Sequence, residues 1–195
     1  SRFRLVTPAG DADITLALPG RHNIANALAA AAMTLAAGID IDQVKAGLEA
    51  ARPVAGRGVA QRLASGAELI DDSYNANPGS THAAIDTLAS GGGEAWLVLG
   101  DMRELGADEV ALHAEVGRRA KAAGIARLYA LGSLAGHAAD AFGEGAHRFE
   151  SHEAMAEALR GGLREGVRVL VKGSRGSAMD RVVAALQGEG TNDVA

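Results

Sequence analysis

The stretch AWLVLGDMRELGADEVALHAEVGRRAKAAGIARLYAL, residues 95–131, decides the fold class. It opens with the apolar run 95–99, continues as an amphipathic segment over 108–123 and closes with a second short strand pattern at 127–131. Short apolar strands on either side of a helix are typical of a parallel sheet that is covered on both faces. The stretch therefore predicts an α/β fold with a mostly parallel sheet.

The same alternation extends in both directions from this stretch. Paired strands are predicted at 59–64 and 68–71, single strands at 148–150 and 167–171, and helices at 80–88, 134–142, 153–164 and 177–187. Upstream of Pro53 the pattern differs, because apolar residues alternate on both sides of a turn at 8–11 and a Pro19-Gly20 break follows. This part of the sequence predicts a hairpin followed by two helices.

The first of these helices is predicted at 23–37 with Asn23 as N-cap, and the second at 41–51 with Asp40 as N-cap. We therefore expect two domains, 1–53 and 54–188, and a disordered tail at 189–195. The first residues lack an initiator methionine and read as the middle of a domain, so we expect a chain cut from a longer parent.

Composition excludes several classes of protein. The chain has 195 residues, of which 48% are hydrophobic, which is enough for a core and excludes an intrinsically disordered protein. The absence of cysteine excludes disulfide frameworks, thiolate metal sites and a cysteine nucleophile, and it fits a cytoplasmic protein. A net charge of −5 gives no general attraction to nucleic acid or membranes, and no secretory signal or membrane span is visible.

Polar motifs follow three of the predicted strands, where ligands bind in parallel sheets. The first motif, DDSYNANP at 71–78, holds two aspartates, two asparagines and a tyrosine. Capping of the next helix accounts for one of them but not for all, so a binding role is favoured. The second motif, GDMRELG at 100–106, presents Asp101 and Glu104. Its alternative interpretation is a charged turn in which Glu104 pairs with Arg103.

The third motif is KGSRGS at 172–177, at the start of the last predicted helix. Backbone N–H groups, the helix dipole and two cations predict an anion site there, and a flexible cationic turn is the alternative. Arg57 lies between two glycines, either as an exposed charge or as a bidentate donor to a phosphate. Asn26 lies one turn beyond Asn23, and carboxamides suit the edge of a purine.

Metal and nucleophile chemistry find no support in the sequence. The six histidines show no metal-ligand spacing, and those on predicted helices are expected to be surface or half-buried residues: His113, His137 and His152. No metal site is predicted. A Gly-x-x-x-x-Gly-Lys-Ser/Thr phosphate loop and a serine nucleophile elbow are both absent from the sequence.

Five segments in one order and spacing resemble the bacterial Mur ligases. They are GRHNIAN at 20–26, GR at 56–57, DSYNANP at 72–78, GDMRELG at 100–106 and KGSR at 172–175. The resemblance extends to Gln187 and is strongest to the members that join D-alanyl-D-alanine to UDP-N-acetylmuramoyl-tripeptide. DSYNANP is its most specific part, because related ligases and folylpolyglutamate synthetases carry Asp-Tyr-Ala-His-x-Pro there.

The resemblance implies an ATP-driven ligase with a UDP-sugar domain, a central ATPase domain and a Rossmann-like C-terminal domain. Residues 1–53 would end the central domain and 54–188 would form the C-terminal one. The reaction would pass through an acyl phosphate, with ATP and Mg²⁺ as cofactors and UDP-N-acetylmuramoyl-tripeptide and D-alanyl-D-alanine as partners. The phosphate loop and the metal ligands would lie upstream, so this chain alone is expected to be inactive.

A cytoplasmic monomer that makes peptidoglycan precursors, without nucleic acid or membrane insertion, would follow. The resemblance places Asn23 and Asn26 near the adenine and Arg57 at the terminal phosphates. The nucleotide side of the C-terminal domain would be lined by Asp72, Tyr74, Asn75 and Asn77. The residues expected to hold the dipeptide or steer domain closure are Asp101, Glu104, Lys172, Ser174 and Arg175. Arg57 and Lys172 are the expected catalytic residues.

Two alternatives stay open at this point. One is another amide ligase of the Mur or folylpolyglutamate type, which would add a different amino acid. The other is a non-catalytic nucleotide-binding module, which the missing phosphate loop favours for the chain in isolation. An upstream phosphate loop in the native gene would distinguish the ligases from the module.

Overall fold

A computed structural model describes residues 1–18 and 20–188, apart from the side chain of His22. The chain forms two compact units, Ser1–Val54 and a second that begins at Ala55. The predicted break at Pro19 and the predicted tail at 189–195 lie outside the described residues. None of the helices within the described ranges is long and apolar enough to cross a membrane.

The first unit is a hairpin followed by two helices, as the sequence predicts. Its elements are β1 (Arg2–Thr7), β2 (Gly10–Thr15), α1 (Arg21–Ala36) and α2 (Ile41–Ala50). β1 and β2 pair antiparallel, with Phe3 opposite Ile14. The period-2 pattern turns Leu5 and Ile14 inward, where they form a small core with Ala31 and Val44. Asp40 caps α2 by accepting the N–H of Gln43, which confirms that N-cap.

The predicted N-cap of α1 is wrong. The helix begins at Arg21 with Gly20 as its N-cap, and the N–H of Asn23 donates to the carbonyl oxygen of Gly20 at 3.1 Å. Gly20 has φ 96°, a conformation open to glycine, so the chain turns into the helix three residues earlier than the asparagine pattern indicates. Asn23 therefore lies within the first turn of the helix.

The second unit has a six-stranded sheet covered by helices on both faces. The strands are β3 (Val59–Arg62), β4 (Glu68–Asp72), β5 (Glu94–Gly100), β6 (Arg127–Leu131), β7 (Ala146–Phe149) and β8 (Val167–Lys172). The helices are α3 (Pro78–Ala89), α4 (Glu109–Ala122), α5 (Ser133–Phe142), α6 (His152–Arg160) and α7 (Asp180–Gln187). The strand order is β3-β4-β8-β5-β6-β7, and only β3 is antiparallel to its neighbour. The predicted α/β class with a mostly parallel sheet is confirmed.

Burial on both faces explains the apolar run in β5. Leu97 and Leu99 pack in the core that α3, α4 and α5 cover, whereas Trp96 and Val98 pack in the core that α6 and α7 cover. All four side chains are fully buried. Alternate residues point to opposite faces of a strand, so a strand with two covered faces needs an apolar side chain at every position.

The connections that leave neighbouring strands diverge at the carboxyl edge of the sheet. β8 lies between β4 and β5. The connections that leave β4 and β5 lead to α3 and α4 on one face, and the connection that leaves β8 leads to α7 on the other. Loops that diverge from neighbouring strands in this way leave the space in which α/β folds bind ligands.

Candidate functional site

The three polar motifs lie side by side at this edge. Asp72, the last residue of β4, pairs in register with Lys172, the last residue of β8. Leu99 of β5 pairs with Lys172 from the other side. The segments 71–78, 172–177 and 100–106 therefore begin from three adjacent parallel strands, which confirms that these motifs share the carboxyl edge.

Lys172 is buried and connects two of the motifs through hydrogen bonds. Its side chain is only 3% exposed, and its ammonium group donates to Asp72 Oδ2 at 2.5 Å and to the carbonyl oxygen of Asn75 at 3.0 Å. The resemblance implies that Lys172 is a catalytic residue that holds the dipeptide or steers domain closure, and this role stays a prediction. In the structure the lysine lies between β4 and β5, and its ammonium group is engaged by the two contacts above.

Ser174 connects all three motifs and is buried as well. Its N–H donates to the carbonyl oxygen of Asp101 at 3.0 Å, and its hydroxyl donates to the carbonyl oxygen of Ala76 at 3.2 Å. The same hydroxyl accepts the N–H of Arg103 at 2.8 Å. These contacts fix the positions of the three loops relative to one another, and the expected role of Ser174 in holding the dipeptide or steering domain closure stays a prediction.

Asp101 points away from solvent. It is 7% exposed, and its Oδ1 accepts the N–H of Ala135 at 2.8 Å, in the first turn of α5. A carboxylate is stabilised by the partial positive charge at a helix N-terminus. Gly132 gives this carboxylate its space, since a Cβ atom there would lie 2.4 Å from Asp101 Oδ1. In the structure Asp101 therefore caps α5, and its expected role in holding the dipeptide or steering domain closure stays a prediction.

Two of the expected nucleotide ligands are engaged in local structure. Asn77 caps α3 by accepting the N–H of Ser80 at 2.8 Å, and Ser80 Oγ accepts the N–H of Asn77 in return. Asn75 Oδ1 accepts the N–H of Ala76 at 2.9 Å. Asn77 is therefore the one polar residue of the first motif that capping of the next helix explains.

The predicted helix start at 177 is wrong, and so is the part of the anion site that depends on it. Arg175–Ser177 forms a short 3-10 turn, Ala178 follows with φ 48°, and α7 begins only at Asp180. The hydroxyl of Ser177 donates back to the carbonyl oxygen of Ser174 at 2.6 Å, which stabilises the turn. The helix dipole therefore does not act at residues 172–177.

An exposed aromatic ring lies beside two guanidinium groups at this edge. Tyr74 is 42% exposed, and the guanidinium carbon of Arg57 lies 4.4 Å from the centroid of its ring. The guanidinium carbon of Arg175 lies 5.9 Å from the same centroid. Both separations are within the range of cation–π attraction. The ring therefore keeps two positive charges together on the surface.

Main-chain contacts hold Arg57 in this place. The N–H of Tyr74 donates to the carbonyl oxygen of Gly56 at 3.0 Å, and the N–H of Gly56 donates to Asp71 Oδ2 at 3.0 Å. Gly56 has φ 76°, and a Cβ atom at that position would lie 3.1 Å from the main chain of Tyr74. The glycine before Arg57 is thus required for the close approach of the two segments.

Arg103 is a third cation at this edge, and the sequence interpretation missed it. Its exposed side chain lies against Gly176, where a Cβ atom would be 3.3 Å from the arginine Cδ. Within residues 1–18 and 20–188, no carboxylate lies at ion-pair distance from Arg57, Arg103 or Arg175. The alternative Arg103–Glu104 pair is therefore not formed. Three guanidinium groups are open to an anion.

The predicted exposure of His113 is wrong, because its side chain is fully buried rather than half-buried or on the surface. The signal in the sequence is its position on the apolar face of α4 that Val116 and Ala120 continue. His137 and His152 are half-buried, as expected. No group of three or more histidine, aspartate or glutamate side chains in the described ranges is arranged to hold a metal ion.

Asn23 and Asn26 lie three residues apart on α1 of the first unit, and Asn26 is exposed. Three residues make almost one turn, so the two carboxamides lie on the same side of the helix. Their expected place near an adenine stays a prediction. Glu104 is exposed in the loop after β5, with φ 63°.

Comparison with known proteins gives a consistent result. Residues 56–175 match the family described as Mur ligase, glutamate ligase domain. The chain is 48% identical over 193 residues to the UDP-N-acetylmuramoyl-tripeptide–D-alanyl-D-alanine ligase of Escherichia coli strain K12, covering 98% of this chain and 42% of that protein. The ligase of the same name from Haemophilus influenzae is 35% identical over 192 residues, covering 96% of this chain and 42% of that protein.

Solved structures show the same likeness. A crystal structure of MurF from Acinetobacter baumannii matches with a TM-score of 0.85 and 31% identity over 96% of this chain and 42% of that one. MurF from Thermotoga maritima, in a complex with ADP, shares the fold with a TM-score of 0.79 and 23% identity, over 92% of this chain and 41% of that one. The chain thus spans about two fifths of the length of these relatives.

Proposed function

Because this chain belongs to the Mur ligase family, we propose that it is the C-terminal portion of an ATP-dependent ligase that joins D-alanyl-D-alanine to UDP-N-acetylmuramoyl-tripeptide. Relatives with this activity in their names align over 96–98% of the chain. In this proposal residues 1–53 end the central ATP-binding domain, and residues 54–188 form the Mur ligase C-terminal domain. The enzyme would work as a cytoplasmic monomer in peptidoglycan precursor synthesis.

The observation that carries the proposal is the pair of guanidinium groups on Tyr74. An acyl-phosphate mechanism transfers the γ-phosphoryl group of ATP to the tripeptide carboxylate, and the amine of the dipeptide then displaces phosphate through a tetrahedral intermediate. Negative charge accumulates on phosphoryl and carbonyl oxygens in both steps, so fixed cations stabilise the transition states. Arg57 and Arg175 support the proposal because they are exposed cations beside the same aromatic ring.

Arg57 is the catalytic residue that we propose for the terminal phosphates. Its guanidinium group can donate two parallel hydrogen bonds to a phosphate. The ring of Tyr74 and the main-chain hydrogen bond of Gly56 restrict the position of Arg57, so its side chain would lose little conformational freedom when it binds a phosphate. Lys172, by contrast, already donates to Asp72. We propose that it acts by holding the loop of Tyr74 in place rather than by contact with the dipeptide.

Magnesium would neutralise part of the phosphate charge when bound. Among the described residues no group of three or more carboxylates and histidines is arranged for a metal ion. We propose that the metal ligands belong to the part of the ligase that precedes this chain. The role of the described residues is then to bind the anionic groups and to exclude water as the domains close.

The test is Arg57→Ala in the ligase that contains this chain, assayed by phosphate release with ATP, the UDP-tripeptide and D-alanyl-D-alanine. We expect kcat to fall by about 10²-fold or more, the usual effect of removing one charge-stabilising donor. Arg62→Ala is the matched control, because the Arg62 side chain is 68% exposed on β3 and pairs with Glu165 on the surface. Equal kcat values for the two variants would contradict the role of Arg57.

A panel of acceptor amines tests the substrate. We expect phosphate release to depend on D-alanyl-D-alanine and to stay at background with single amino acids such as L-glutamate. Release that depends on a different amino acid would assign the chain to another amide ligase. Nucleotide binding without amine-dependent release by the ligase would support a non-catalytic module instead.

A further inference from the structure

His113 makes two hydrogen bonds that fix its protonation. Its Nε2 accepts the N–H of Met102 at 2.9 Å, and its Nδ1 lies 2.6 Å from the carbonyl oxygen of Glu109. A main-chain N–H can only donate and a carbonyl oxygen can only accept, so the imidazole is neutral with its proton on Nδ1. The fully buried ring thus joins the loop after β5 to the first turn of α4.

The next N–H along the loop is also held by a side chain. Arg103 N–H donates to the hydroxyl of Ser174 at 2.8 Å. Two consecutive peptide N–H groups, those of Met102 and Arg103, are therefore fixed by acceptors from α4 and from the loop after β8. We call these two contacts the loop clamp. It ends directly before Glu104.

Glu104 has an uncommon backbone conformation immediately after the clamp. Its φ of 63° is in the left-handed region, which side chains other than glycine and asparagine rarely adopt. The other non-glycine residue with positive φ within the described ranges is Ala178, in the loop after the neighbouring strand β8. Such conformations persist only where the surroundings determine them, and they concentrate at functional sites.

We propose that His113 and Ser174 are positioning residues whose clamp forces Glu104 to present its carboxylate to the ammonium group of the dipeptide substrate. This inference rests on the ligase function proposed above. Glu104 is exposed and lies in the same strand-end cluster of loops as the guanidinium groups of Arg103 and Arg175. An acidic group and basic groups at one edge match the two ends of a zwitterionic peptide.

The experiment uses two variants of His113 that each keep one of its hydrogen bonds. In His113→Gln the side-chain oxygen reaches the position of Nε2 and can still accept the N–H of Met102. In His113→Asn the amide nitrogen takes the position of Nδ1 and can still donate to Glu109, but the acceptor for Met102 is lost. The two variants therefore separate the clamp from simple filling of the core.

Two measurements are made on each variant. Amide hydrogen exchange at Met102, followed by NMR in the 195-residue chain, reports the clamp without any need for activity. Steady-state kinetics of the ligase report KM for D-alanyl-D-alanine. For His113→Asn we expect about tenfold faster exchange and about tenfold higher KM, the effect of losing one hydrogen bond, with a smaller change in kcat. His113→Gln should remain within about threefold of the parent in both.

Glu104→Gln keeps the test independent of core folding, because its side chain is exposed. It should raise KM for the dipeptide by about tenfold, as expected on loss of one charged contact, and leave exchange at Met102 unchanged. An unchanged KM in Glu104→Gln, or equal exchange rates and KM values in the two His113 variants, would overturn the inference. Absence of ligation by the unsubstituted enzyme would instead refute the proposed function, while the exchange rates would still decide on the clamp.

Discussion

Replacing Lys172 by methionine should destabilise the second unit strongly. Methionine keeps a flexible apolar stem of similar length but removes the ammonium group. Asp72 then loses the cation that lies 2.5 Å from its Oδ2, and the carbonyl oxygen of Asn75 loses a donor at 3.0 Å. Lys172 is 3% exposed and Asp72 is 23% exposed, so the carboxylate that remains is only partly hydrated.

The magnitude follows from this burial. Breaking a buried ion pair by removing one partner costs about 3–5 kcal/mol. The partial exposure of Asp72 favours the lower end, and Asn75 is exposed enough for water to replace the lost donor. We therefore expect a loss of about 3 kcal/mol in the free energy of unfolding. With a urea m value of about 2 kcal/mol/M, the unfolding midpoint should fall by about 1.5 M.

The assay is urea unfolding followed by the fluorescence of Trp96, the single tryptophan, which is fully buried in the core of the second unit. Arg62→Met is the matched control, because its surface pair with Glu165 is 68% and 82% exposed and should contribute less than about 1 kcal/mol. Lys172→Met/Asp72→Leu should recover much of the loss, since no unpaired charge remains. Equal midpoints for Lys172→Met and Arg62→Met would refute the reasoning.

Two further predictions concern helices. Gly117→Ala in α4 should lower the free energy of unfolding by about 2 kcal/mol, measured by Trp96 fluorescence, because a Cβ atom would lie 2.0 Å from the carbonyl oxygen of Ala138. Gly47→Ala in α2 should raise the free energy of unfolding by about 1 kcal/mol, measured by circular dichroism, because a Cβ atom there meets nothing within 4 Å. A hydrogen bond from its own main chain lowers the pKa of the Glu153 carboxyl in the folded protein. The ionised carboxylate therefore stabilises the fold above the pKa that Glu153 has in the unfolded chain, and this contribution is lost as pH falls through the lower pKa of the folded state. Unfolding measurements should therefore show a lower free energy of unfolding for Glu153→Gln than for the parent at neutral pH, and no difference between the two at acid pH.

The fold could be predicted because strands in a sheet that is covered on both faces are continuous apolar runs, which are visible in the sequence. The apolar run in β5 and the short strands around it need no knowledge of their neighbours to be recognised. Element ends were harder to predict, because they depend on single conformations. Gly20 with φ 96° starts α1 early, and Ala178 with φ 48° delays α7, and neither angle is encoded in a periodic pattern.

The shared position of the three motifs that form the candidate site could be predicted as well, but the direction of their side chains could not. Topology alone brings polar strand ends to one edge, and the sequence shows where the strands end. Whether Lys172 faces a ligand or a neighbour depends on which strand lies beside it, and β4, its partner, is 100 residues away in the chain. The sequence contains no local signal for that pairing.

Charge at the edge follows from this division between inward and outward side chains. The acids Asp72 and Asp101 are bound to Lys172 and to the N-terminus of α5, whereas the guanidinium groups of Arg57 and Arg175 lie on an exposed ring. These two acids are thus compensated by partners within the protein, whereas the two guanidinium groups, like the carboxylate of Glu104, are exposed. A chain with a net charge of −5 can for this reason still carry a local group of exposed cations, as the proposed phosphate contacts require, which its overall composition does not predict.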